Sequence, residues 1–254
     1  MQIAVCCKVV RDDQDIVVNP DRSLDVSRAH MAISSYDQNA LEAAAQLAEK
    51  DGAKVVAFSV GGPEIDDSKV KKAILSRGVD ELFMFTCPDG SGLDAHKTAQ
   101  LLAELFQTAG GADLIVCGDG SADNYAQQVD VQLAEAMGLP CVTSVAELSV
   151  EGGSVKAKRL LEHETETVEV AMPCVVSVVP DIAEPRICGM KEILAAGKKP
   201  SQVSDAEDAA AGAAAVEVVE VKAPEPQPRH NEIFDSAVDG DFDKFVAAFK
   251  EALR

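Results

Sequence analysis

Through its first 145 residues the chain alternates two hydrophobic periods, and this alternation restricts the fold more than any other feature. Continuous apolar runs occupy 3–7, 55–60, 82–86 and 114–117. Between them the repeat is helical. Leu41, Ala44, Ala45 and Ala48 fall at i, i+3, i+4 and i+7, and Val70, Ala73 and Ile74 begin the same stripe in the next segment. Leu101, Leu102, Leu105 and Phe106 line a third, and Val129, Leu133, Ala136 and Met137 a fourth. Apolar runs without polar alternation suit strands buried on both sides. The expected fold is therefore α/β: a mainly parallel sheet with helices on both faces. From about 142 the pattern changes. "TSVAELSVEGGSVKAKRLLEHETETVEVAMPCVVSVVP" reads as strands turned at Glu151, Gly152 and Gly153, with another buried strand over 174–179 after Pro173. Residues 181–200 read as a loop and a short helix.

Past Pro200 the sequence loosens. The stretch "SDAEDAAAGAAAVEVVEVKAPEPQPRH" is rich in Ala, Glu and Pro and has few groups to bury. It ends in an amphipathic pattern, with Phe242, Phe245, Val246, Phe249 and Leu253 at i, i+3, i+4, i+7 and i+11. The expected division is an α/β domain over 1–200, then an extended arm and terminal helix over 201–254. The apolar stripe would pack on its own domain or on a partner subunit.

Charge and cysteine usage narrow the function classes. The chain has 254 residues, with 43 Asp and Glu against 23 Lys and Arg, a formal net charge of -20. A duplex-binding surface needs clustered cations to displace counterions, so nucleic acid and anionic membrane are poor partners for this chain. The seven cysteines include no C-x-x-C pair, and several sit inside apolar runs, as small hydrophobes do in a reducing cytosol. The opening "MQIAVCCKVVRDDQD" turns charged too early for a signal peptide, and no apolar run is long enough to span a bilayer. The expected location is the cytoplasm, with no membrane insertion.

Candidate chemistry lies in two glycine loops. "SVGGP" follows the second apolar run and "GDGS" the fourth. In an open parallel sheet, ligands bind where loops leave the carboxyl ends of strands. Glycines there let backbone N–H groups approach a phosphate, and the next helix adds its dipole. Alone, each loop is equally an ordinary strand-to-helix turn. "GDGSAD" lacks the G-x-G-x-x-G spacing, and no phosphate-binding G-x-x-x-x-G-K-[ST] occurs. There is no G-x-S-x-G or H-E-x-x-H, and His30, His96, His163 and His230 are too scattered to form a metal site. Cys6 and Cys7 would point to opposite sides of a strand. A free-standing adenine-nucleotide domain, such as a stress-response sensor or an ATP-using enzyme, remains open at this level.

Four ordered segments carry a resemblance. "CCKVVRDDQDIVVNPDRSLDVSRAHMAISSYDQNALEAA", "GDGSADNYAQQVDVQLAEAMGLP", "AKRLLEHETETVEVAMPCVVSV" and "EPRICGMKEILAAGKKP" together resemble the β subunit of electron transfer flavoproteins, over nearly all of the chain up to Pro200. In detail they are most similar to the FixA type, associated with carnitine or related acyl-CoA metabolism. Arg159, Glu166 and Pro173 stand where the family signature has them.

The resemblance implies an adenine-nucleotide α-hydrolase-like sheet and a heterodimer with an α subunit. FAD would be shared with that α subunit, and AMP or a second FAD would sit in this one. The chain would be an electron carrier rather than an enzyme. It would link acyl-CoA dehydrogenases or other donors to a quinone oxidoreductase or ferredoxin, with bifurcation where two flavins are present. Carried onto this sequence, the nucleotide residues are Cys6, Ser34, Ser35, Tyr36, Asp37, Val60, Gly118, Asp119, Gly120, Ser121, Ala122, Asp123, Asn124, Tyr125, Ala126, Gln127, Gln128 and Val129. No residue is assigned a catalytic or metal-binding role. The docking segment covers about 183–200, with Met190 in place of the family's usual Leu. Other departures are Asp119 for the family's Lys, Ser34 and Ser35 for its Asn-Pro, and Glu162, His163 and Glu164 for its Asp-Gly-Gly.

Overall fold

The computed structural model describes residues 1–88, 92–206, 214–229 and 231–253; Glu207 to Ala213 of the expected arm, and His230, lie outside them. In chain order the strands and helices are β1 (Gln2–Cys6), β2 (Val9–Arg11), β3 (Val17–Val18), β4 (Leu24–Asp25), β5 (Met31–Ile33), α1 (Ser35–Asp51), β6 (Lys54–Gly61), α2 (Ser68–Leu75), β7 (Glu81–Thr86) and α3 (Ala95–Thr108). They continue with β8 (Leu114–Gly118), α4 (Val129–Met137), β9 (Cys141–Glu151), β10 (Ser154–Leu160), β11 (Thr165–Ala171), β12 (Cys174–Val178), α5 (Met190–Ala196), β13 (Ser201–Asp205) and α6 (Asp241–Ala252).

Nine strands form one sheet in the order β11-β10-β9-β12-β8-β1-β6-β7-β13. Only β10 runs against the others, because it pairs antiparallel with both β9 and β11. The parallel centre is buried on both sides, which is why its strands carry unbroken apolar runs. Ile3 and Val5 face α1 and α2, with Leu41, Ala44 and Ile74 in the same cluster. Ala4 and Cys6 face α3 and α4, with Leu101, Phe106 and Leu133. Cys6 and Cys7 thus enter opposite core layers, as the strand period requires. Phe58 anchors the second layer, its ring 4.1 Å from Phe106 and 5.6 Å from Phe83. Burial of each such side chain contributes roughly 1.5–3 kcal/mol.

The winding sets the position of a crevice. From β1 the chain passes through α1 to β6 and through α2 to β7, moving towards one edge. Helix α3 then returns it across the other face to β8, on the opposite side of β1. The loops leaving β1 and β8 diverge to opposite faces, and the gap between them is the topological switch point. On the far side, β9 continues past its pairing with β12, which ends at Val178 and Val145. The antiparallel strands β9 to β11 therefore extend beyond the carboxyl edge of the parallel sheet. Their first turn has Gly152 and Gly153 at φ 58° and 89°, a pair of left-handed positions suited to a two-residue hairpin.

One feature departs from the sequence reading. The arm does not start at Pro200: Ser201–Asp205 pairs in parallel with β7 and closes the sheet edge. This strand is held by its backbone, since Val203 is its only large apolar residue. The terminal helix forms over Asp241–Ala252, but none of its residues is buried, and Phe242, Phe245 and Phe249 are exposed. Their stripe covers little beyond Phe234, whose ring lies edge-on to Phe245 at 5.8 Å.

Candidate functional site

At the switch point the residues after β1, before α1 and after β8 converge. Ser34 is fully buried at the head of α1. Its hydroxyl does not cap its own helix but accepts the Ala122 N–H at 3.2 Å, tying α1 to the loop after β8. Asp37, one turn into α1, accepts the Lys8 N–H at 2.7 Å and a hydrogen bond from the Gly118 N–H. This close approach explains the glycine: a Cβ on Gly118 would lie 2.7 Å from Asp37 Oδ1. Burial pushes the Asp37 carboxyl up to about 7, although the two N–H groups and the Lys8 charge pull the other way.

The loop over 119–128 is built around short polar contacts. Lys8 Nζ lies 2.6 Å from Asp123 Oδ2, and the Ser121 hydroxyl donates to Asp123 Oδ1 at 2.6 Å. Partial burial raises the Asp123 carboxyl, but those two partners outweigh it and hold it below its ordinary value. The Tyr125 hydroxyl donates to Asp119 Oδ2 at 3.0 Å, and its ring stacks obliquely on Tyr36 at 4.9 Å. Any side chain on Gly120 would collide with that ring. Tyr125 and Gln127 adopt left-handed φ of 43° and 54°, so the loop is tightly coiled before α4 begins. Asp119 is raised by burial, and its Oδ1 is a buried acceptor without a partner.

These residues fit a nucleotide. Helix α4 has no side-chain cap, so the N–H groups of its first turn would offer a place for a phosphate, with Asp130 in the same turn opposing it. Orphaned Asp119 Oδ1 wants a donor, which a ribose hydroxyl or an exocyclic amine would supply. The lining is poor in cations, so such a phosphate would rely on backbone dipoles rather than on Asp119. Ser35, Tyr36, Asn124, Tyr125, Ala126, Gln127 and Gln128 stand at the surface or its edge, and Val129 packs against the α3–α4 layer. Cys6 and Val60 are brought to the same end of the sheet but lie under it, packed in the α3–α4 layer. Sequence reading passed over Lys8, although its place directly after β1 was the available signal.

Met190 lies apart from the crevice, at the start of α5 on the α1–α2 face, and is 72% exposed. The segment before it is fastened to α1. Asn39 Nδ2 donates to Pro180 O at 3.1 Å and Ala183 O at 2.8 Å. Glu42 receives Arg186 at 2.6 and 3.1 Å, Glu49 receives it at 2.7 Å, and Arg77 donates to the Arg186 carbonyl at 3.0 Å. This clamp was not foreseen. Arg159 on β10 and Glu166 on β11 face each other at 3.5 Å, three and four strands from β8 and so roughly 14 Å or more away at ordinary strand spacing. Among the described residues no cluster of His, Cys, Asp and Glu could hold a metal, and no helix is long and apolar enough to cross a membrane.

A mostly parallel sheet wound in both directions from β1, with helices on both faces, defines an α/β domain whose switch point carries a glycine turn. A sequence model of the electron transfer flavoprotein domain matches residues 23–225, and the chain belongs to that family. Its members are electron carriers rather than classical enzymes; they bind flavin as FAD, sometimes with AMP, and work as a heterodimer with a flavoprotein partner.

Proposed function

We propose that the chain is the β subunit of a heterodimeric electron transfer flavoprotein, of the FixA type, working in the cytoplasm of a bacterium or archaeon. The observation that carries this reading is the meeting of Lys8, Ser34 and Asp37 with the loop over 118–129 at the β1–β8 switch point. In this reading an adenine nucleotide occupies that crevice, AMP in a simple shuttle or a second FAD in a bifurcating pair. FAD shared with the α subunit supplies the one- and two-electron chemistry when bound. The residues of this chain hold and orient. The α4 N-terminus faces a phosphate, Asp119 accepts from the sugar or base, and Asp37 locks the two sides of the crevice together. The exposed Phe242, Phe245, Phe249 and Leu253 give the chain beyond β13 a surface for the α subunit. Met190 docks an acyl-CoA dehydrogenase, where a flexible thioether adapts to the partner's surface. A quinone oxidoreductase or ferredoxin takes the electrons onward.

The test is to purify the chain alone and with the α-like protein encoded beside it, then identify the released nucleotides. One FAD and one AMP per pair supports the shuttle, and two FAD supports bifurcation. A nucleotide-free monomer that does not pair with the α-like protein overturns the reading. In the pair, Met190→Ala is expected to slow electron exchange with a dehydrogenase at unchanged flavin content; loss of flavin would contradict the docking role.

A further inference from the structure

An open cleft of about 500 Å³ runs between α2 and the segment over 185–193. Its charged lining is Lys69, Lys72, Arg77 and Arg186, and among the described residues no carboxylate lines it. In a chain where acids outnumber bases 43 to 23, that is a local reversal of sign. Two of the four cations are already engaged. Arg186 is held by Glu42 and Glu49, and Arg77 Nη1 donates to the Arg186 carbonyl, though Arg77 Nε is buried without a partner. Lys69 and Lys72 are exposed and form no salt bridge among the described residues, although the Lys69 charge reaches the Asp67 carboxylate at the head of α2. Their neighbour Lys71 forms one, with Asp66. Beside the Lys69 and Lys72 ammonium groups stand large apolar side chains in water: Ile187 is 99% exposed, Met190 72% and Leu194 67%.

We propose that this cleft takes the carboxylates of an acidic surface element on the partner dehydrogenase, next to an apolar recess that covers Ile187 and Met190. The proposal rests on the docking role given above to the segment around Met190, and adds the chemistry of the partner's matching surface. Charge complementarity selects the occupant. At a net charge of -20 the chain repels an acidic protein over most of its surface. Screening limits that repulsion to about 10 Å at ordinary ionic strength, so a local basic cleft governs encounters at this face alone. An acidic partner is thereby steered to one orientation, with its apolar recess over Ile187 and Met190. The lysines act at the rim, on encounter and register, while the apolar contact sets how long the complex lasts.

The experiment uses the complete pair with an acyl-CoA dehydrogenase from the same organism and follows electron exchange between about 20 and about 200 mM salt. The Lys69→Glu, Lys72→Glu double variant is expected to raise the KM for the dehydrogenase roughly tenfold at low salt and to flatten its salt dependence. Flavin content should match the parent, and the Lys69→Arg, Lys72→Arg variant should keep the parental KM. If charge reversal leaves KM and salt dependence unchanged while Met190→Ala still slows exchange, the cleft has no part in docking and the proposal fails alone. If Met190→Ala is also without effect, the docking role itself falls. Saturable binding of inorganic phosphate that the double Glu variant loses, with exchange unaltered, would overturn the proposal in favour of a small-anion site.

Discussion

Asp37 sits at the centre of the crevice with its carboxyl pushed up to about 7, against an ordinary value of 3.8. The consequence for stability has a definite sign. Between about pH 4 and pH 7 the folded protein keeps a proton that the unfolded chain has lost, so stability falls as pH rises through that window and levels off above it. In urea titrations Asp37→Asn should flatten this slope relative to the parent; an unchanged slope would show that Asp37 is not the titrating group. Asp123, held below its ordinary value, has the opposite sense, and its contribution disappears only in acid. These opposite shifts on neighbouring acids come from their partners: Asp37 is buried on backbone N–H groups, Asp123 meets an ammonium and a hydroxyl. A sequence records acids at 37, 119 and 123 but not which of them is buried or which reaches Lys8.

Among the elements, the parallel strands were the most legible. The runs at 3–7, 55–60, 82–86, 114–117 and 174–179 became β1, β6, β7, β8 and β12 within a residue or so at each end, because a strand buried on both faces must be apolar throughout. Strand β13 was not legible, since its pairing with β7 uses peptide groups that every sequence has. Ser34 and Asp37 entered the candidate site through family resemblance, and the contacts that join them to the second glycine loop are tertiary. The clamp on the docking segment is hidden for a related reason: Arg186 and Glu42 are 144 residues apart in the chain. Glu42 is nearly buried and Arg186 about 30% exposed, so losing the guanidinium leaves a carboxylate short of partners. Arg186→Met should cost about 1–3 kcal/mol in urea unfolding. Faster amide exchange over 183–190 than in the parent would locate that loss, and unchanged exchange would show that the clamp is not what orders the segment.

For the molecule as a whole, the balance of 23 bases to 43 acids sets a background of self-repulsion that the fold must overcome. Added salt screens it. Raising sodium chloride from about 20 to about 200 mM should raise the Tm of the isolated chain by a few degrees; a fall would mean that favourable ion pairs outweigh the repulsion. The doubly wound centre also determines how the seven thiols meet the solvent. Five are buried, and only Cys141 and Cys188 are half-exposed. Burial pushes Cys141 up to about 11, leaving little thiolate at neutral pH. Cys188 lines the basic cleft beside Ile187. A mild maleimide treatment should therefore tag one native position, and a fluorophore placed there would register the arrival of a partner without any engineered cysteine.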